Sequence, residues 1–119
     1  MLKRINFVAL PVTDQSRALA FYTDKVGLKV FTDQTMGPMR WIELKVPGAE
    51  TMVVLHLRPG HEPSEEDPGL AFVADSVQAT YEELKGRDVE FVQPPKKEHW
   101  GEYAIFKDSE GNRILFAKG

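Results

Sequence analysis

One order of apolar patterns and chain breakers runs through this sequence twice. Residues 5–12 alternate like a strand. Thr13 and Asp14 then offer a short oxygen-bearing side chain to cap a helix, and Ala18, Leu19, Tyr22 and Val26 follow at helical spacing. Gly27 ends that helix, and three strands are expected over 28–35, 39–45 and 52–57. Turns at Met36-Gly37-Pro38 and Pro47-Gly48 separate them. After a stretch rich in Pro, Gly and acid (58–68), the order returns. Residues 70–74 read as a strand, Asp75-Ser76 as a cap, and Val77, Thr80, Tyr81 and Leu84 as a helical stripe that Gly86 stops. Strands are expected over 89–92, 102–107 and 113–116, with Pro94-Pro95 and two lysines as a loop and residues 108–112 as a hairpin turn.

A strand–helix–three-strand half cannot cover both faces of its own sheet. Two such halves in one chain can. The expectation is an α+β fold in one domain: module one at about 3–57, a linker at 58–68 and module two at about 69–118.

The lack of cysteine removes disulfides, zinc–thiolate sites, iron–sulfur clusters and cysteine nucleophiles together. The only histidines are His56, His61 and His99, so a metal would draw on few imidazoles plus carboxylates. Residues 1–60 carry eight Lys/Arg and five Asp/Glu, a net +3; residues 61–119 carry seven and thirteen, a net −6. No clustered basic stretch suits nucleic acid. No apolar run approaches the ~20 residues of a membrane span. The start of the chain lacks a signal-peptide pattern, so a cytoplasmic location is expected. No phosphate loop, dinucleotide fingerprint or nucleophile elbow is present.

The run Val8-Ala9-Leu10-Pro11-Val12-Thr13-Asp14, then Ala18-Leu19-Ala20-Phe21-Tyr22 and Val26-Gly27-Leu28, resembles the opening of the vicinal oxygen chelate superfamily. That group contains glyoxalase I, extradiol dioxygenases and bleomycin- and fosfomycin-resistance proteins. The second half is similar to it as well, in Trp100-Gly101 and in Asp108-Ser109-Glu110-Gly111-Asn112. The latter resembles the family's Asp-Pro-Asp/Glu-Gly-Asn turn, with Ser109 in place of proline. The resemblance implies paired βαβββ modules, their eight strands forming a curved mixed sheet around a cleft with the helices outside. It also implies a homodimer, and in many relatives a divalent metal held by up to four side chains.

Carried onto this sequence, the family's four ligand positions fall on Phe7, His56, Gly69 and Leu115. Only His56 can donate to a metal, and a mononuclear site needs about three protein donors. The expected cofactor is therefore none; the alternative set is His56, Glu43 and His99. His56 is also the best candidate for a catalytic base, since imidazole titrates near neutrality. His61 reads as solvated. Phe7, His56, His99, Trp100, Tyr103 and Leu115 are the candidate ligand contacts, an apolar set with a few polar groups. Trp41, Phe31, Phe91, Phe106 and Phe116 read as core, as do Tyr22 and Tyr81. The expected function is binding of a small organic molecule without metal. The alternatives are a metal-dependent glyoxalase-like lyase, isomerase or dioxygenase, and a module that docks a protein partner.

Overall fold

A computed structural model describes all 119 residues. The chain divides into two compact units, Met1–His61 and Glu62–Gly119. Each holds a four-stranded mixed sheet, so the eight strands form two sheets with a helix against each. No helix is long and apolar enough to cross a membrane.

In the first unit β1 (Phe7–Val12), β2 (Lys29–Met36), β3 (Met39–Lys45) and β4 (Met52–Leu57) lie in the order β1-β4-β3-β2. β1 runs parallel to β4, and the other pairs are antiparallel. The helix α1 (Gln15–Ala20) starts where the Asp14 carboxylate accepts from the Arg17 amide at 3.0 Å. It does not run on as a regular α-helix. Residues Phe21–Val26 form a π-helical turn. The Thr23 hydroxyl donates to the Leu19 carbonyl at 2.8 Å, a back-bond that bends helices. Gly27 closes the turn at φ 88°, where a side chain would be strained.

In the second unit β5 (Leu70–Ala74), β6 (Phe91–Glu98), β7 (Gly101–Lys107) and β8 (Arg113–Lys118) repeat the plan as β5-β8-β7-β6, with β5 parallel to β8. Three expectations need correction here. The cap of α2 (Val77–Gly86) is Ser76, whose hydroxyl accepts from the Ala79 amide at 3.1 Å, and not Asp75. Gly86 is the last helical residue, and the left-handed turn falls on Asp88 at φ 64°. Aspartate tolerates that conformation better than most residues. Pro94, Pro95 and the lysines lie within β6 rather than in a loop. Proline is tolerated there because β6 is the outer strand of its sheet and its pairing with β7 is shifted at Gln93 and Lys96.

One face of each sheet is packed with alternating apolar side chains: Leu10, Val12, Ile42, Leu44, Val53 and Leu55 with Tyr22 in the first unit, and Ala104, Phe106, Ile114 and Phe116 with Val77 and Leu84 in the second. Each large side chain buried this way contributes about 2 kcal/mol. Strands β3 and β7 share one burial pattern, and β1 shows the same alternation. The residues between the buried ones therefore share the opposite face.

The outer side of the first unit carries a bidentate ion pair. Arg40 donates from Nε and Nη2 to the two Asp33 oxygens at 2.9 and 2.8 Å, and from Nη1 to the Ser16 hydroxyl at 2.8 Å. The Arg40 hydrogen bonds hold the Asp33 carboxyl below its ordinary value of 3.8. A depressed carboxyl stabilises the fold above its ordinary value, and the gain disappears as pH falls through the lowered one. Arg40→Met is expected to cost about 1 kcal/mol in urea unfolding at neutral pH. The difference from the parent should shrink once Asp33 is protonated in both states, to what the Ser16 hydrogen bond contributes. A loss that stays constant into strong acid would contradict this account.

Candidate ligand-binding site

The face of the first sheet opposite its buried core is built by β1, β4 and β3. Phe7, Ala9 and Pro11 pair with Met52, Val54 and His56 of the parallel neighbour. Glu43 pairs with Val54 from the other side. Above β4, the Phe7 and Trp41 rings meet edge to face with centroids 5.6 Å apart. Val54, between Met52 and His56, is only 1% exposed.

Strands β3 and β4 pair only through Glu43↔Val54 and Leu44↔Val53, then part, whereas β1 and β4 stay paired to Leu57. The Gln15 side chain stands at the fork. Its Nε2 donates to the Arg40 carbonyl of β3 at 2.8 Å and to the Leu55 carbonyl of β4 at 2.9 Å. One amide thus serves two carbonyls that the strands do not serve for each other. The parted strands border a hollow of about 260 Å³ lined by Met39, Trp41, His56 and Leu57 among others. Farther along the same sheet is a second hollow of about 360 Å³, lined by Arg4, Phe31, Glu43, Lys45, Glu50 and Met52 among others.

These positions separate two residues of the alternative metal set. His56 lines the first hollow and Glu43 the second. His99 is exposed in the turn between β6 and β7. No group of three or more His, Asp or Glu side chains that could hold a metal ion is present. Phe7 and Leu115 offer only hydrocarbon side chains, and Gly69 no side chain at all.

In the second unit the corresponding sheet face holds Tyr103, Ile105, Leu115 and Ala117. Leu115 lies between Ala71 and Ile105 on the neighbouring strands. Gly69 stands just before β5, its amide donating to the Arg113 carbonyl. Trp100 is 56% exposed and stacks on Tyr103, with centroids 5.2 Å apart and planes inclined by 25°.

Two aromatic residues read as core belong elsewhere. Phe31 is 58% exposed, with the Lys45 ammonium 5.7 Å from its ring centroid. Trp41 is half-buried on the open face against Phe7. The sequence held a signal for Trp41, because β3 and β7 are repeat equivalents. Trp41 and Tyr103 are each the third residue of their strand. A tyrosine taken as a ligand contact makes its counterpart one as well. The same register puts Val54 (opposite Glu43) in the place of Leu115 (opposite Ile105), and His56 in the place of Ala117.

Comparison with known proteins agrees with this architecture. The family described as Glyoxalase/Bleomycin resistance protein/Dioxygenase superfamily matches residues 4–116. The uncharacterized protein YetH of Bacillus subtilis (strain 168) is 38% identical over 117 residues, which is 97% of this chain and 98% of that one. The crystal structure of UcmS2 superposes with a TM-score of 0.88 at 32% identity, covering 100% of both chains. That of TnmS3, an antibiotic binding protein from Streptomyces sp. CB03234, does so with a TM-score of 0.87 at 32% identity, covering 98% of this chain and 96% of that one. With its doubled β-α-β-β-β plan and a family match over nearly its whole length, this chain belongs to the glyoxalase/bleomycin resistance protein/dioxygenase superfamily.

Proposed function

We propose that this protein binds a small organic molecule on an open sheet face, by burial and ring contact and without a resident metal. The observation that carries the reading is the Phe7–Trp41 ring pair beside the forked-strand hollow, an aromatic surface where the family's metal-binding relatives need donors. Phe7, Gly69 and Leu115 deny three of four ligand positions. The fourth falls on His56 or, by repeat register, on Val54, so at most one donor is present. In the second unit, His99, Trp100 and Tyr103 form a candidate ligand surface of their own. The similarity to an antibiotic binding protein at 32% identity supports a binding role. A homodimer is the assembly we propose with it, on the family resemblance.

A ligand that binds the folded chain raises its melting temperature by mass action. Zn²⁺, Ni²⁺, Mn²⁺ and Fe²⁺ at micromolar concentration are expected to leave the melting temperature unchanged, while a screen of apolar aromatic compounds gives stabilising hits. A metal that stabilises the protein at that level, with the effect lost in His56→Ala, would overturn the metal-free reading. It would favour the lyase, isomerase or dioxygenase alternative.

A further inference from the structure

The second hollow on the first sheet has a charge pattern that burial and ring contact do not explain. It is lined by two acids, Glu43 and Glu50, and two bases, Arg4 and Lys45. No ion pair joins any of the four to another charged group, although ion pairs such as Arg40–Asp33 and Lys107–Glu90 occur elsewhere in the chain. Glu43 and Lys45 are half-buried, two residues apart on one face of β3, so their backbones stand ~6.6 Å apart. They could reach each other. Lys45 lies over the Phe31 ring instead, and the Glu43 carboxylate has no partner. Opposite charges held apart around one cavity suit a group that carries both signs on substituents of one carbon. Each sign would then gain a charge-assisted hydrogen bond.

We propose that this hollow binds the zwitterionic head of an α-amino acid, the ammonium at Glu43 and the carboxylate at Lys45 and Arg4. The proposal rests on the reading of the open face as a ligand site and names the class of ligand. Met52 lines this hollow and His56 the aromatic one, four residues on along β4, so their separation is ~13 Å. The ligand is therefore an amino-acid head on a long arm that ends in a flat apolar group against Trp41 and His56.

Nε-benzyloxycarbonyl-L-lysine has such a head, arm and ring, and serves as the probe. Its binding is compared by calorimetry with that of its Nα-acetyl derivative, its methyl ester and headless benzyl butylcarbamate. The parent compound is expected to bind at least tenfold more tightly than each of the other three. Glu43→Gln should bring the parent down to the affinity of the acetyl derivative and leave that derivative unchanged. Lys45→Met should bring the parent down to the ester. Equal affinities for all four probes would overturn the zwitterion proposal and leave the face standing as a ligand site. Failure of all four to bind would overturn both. Glu43→Gln weakening every probe equally would mean a structural role for Glu43 and would also overturn the proposal.

Discussion

Replacing Asp108 by alanine is expected to cost the chain about 3 kcal/mol of folding stability. Its carboxylate organises the turn between β7 and β8 almost without water, since Asp108 and Asn112 are each 6% exposed. Oδ1 accepts from the Glu110 amide at 2.8 Å and the Asn112 amide at 2.9 Å, and Oδ2 accepts from the Asn112 side-chain amide at 3.1 Å. Alanine removes three acceptor contacts from a turn nearly closed to water, each worth ~1–3 kcal/mol before relaxation. The turn also meets the segment between the repeats, because a Cβ on Gly111 (φ 84°) would stand 3.1 Å from Pro63 Cγ. Asp108→Asn keeps one oxygen for the two backbone amides but sets its own amino group against that of Asn112. It should fall between the parent and alanine. Urea unfolding of the three proteins checks the order, and an alanine variant within about 0.5 kcal/mol of the parent would refute the account.

That turn shows which parts of this fold a single sequence discloses. Asp108 to Asn112 is a local device: the residues that form the turn are those that satisfy it, so five letters carry it. The doubled strand–helix plan is legible for a similar reason. Leu10, Val12, Ile42, Leu44, Phe106 and Phe116 are buried by alternation, and alternation is a property of the string. The misread parts depend on neighbours distant in sequence. Pro94-Pro95 signals a break, yet β6 is an outer strand with shifted pairing and accommodates both. Phe31 shares the apolarity of core residues, and only its exposure beside the Lys45 ammonium shows it at the surface. The fork between β3 and β4 could not be anticipated at all. It rests on Gln15, one amide from a helix between two strands. The candidate face was therefore legible in Phe7 and His56, which strand parity puts on one face of the sheet. Trp41 was legible only through the repeat, as the counterpart of Tyr103, and the two hollows that separate His56 from Glu43 were not legible.

Trp41→Ala is expected to weaken the binding of a flat aromatic probe by roughly thirtyfold, equivalent to about 2 kcal/mol. The argument follows from what the ring touches. Trp41 meets Phe7 edge to face above β4 and forms one wall of the forked-strand hollow. A ligand entering that hollow covers a ring already held in place, so it gains apolar contact without ordering a loose side chain. Alanine removes the wall and frees the Phe7 ring to move. Because Trp41 is half-buried and outside the packed core, folding should tolerate the change better than the loss of Phe106 or Tyr22. Anilinonaphthalene sulfonate, whose emission rises in apolar surroundings, gives the titration. Val30→Ala, 48% exposed and lining neither hollow, supplies the comparison. His56→Ala should weaken the probe only a few-fold, since it removes one edge of the hollow and leaves the ring pair. Equal dissociation constants for Trp41→Ala and Val30→Ala would mean that the aromatic face does not bind the probe. The ligand surface would then have to be sought at Trp100 and Tyr103, the stacked pair of the other sheet.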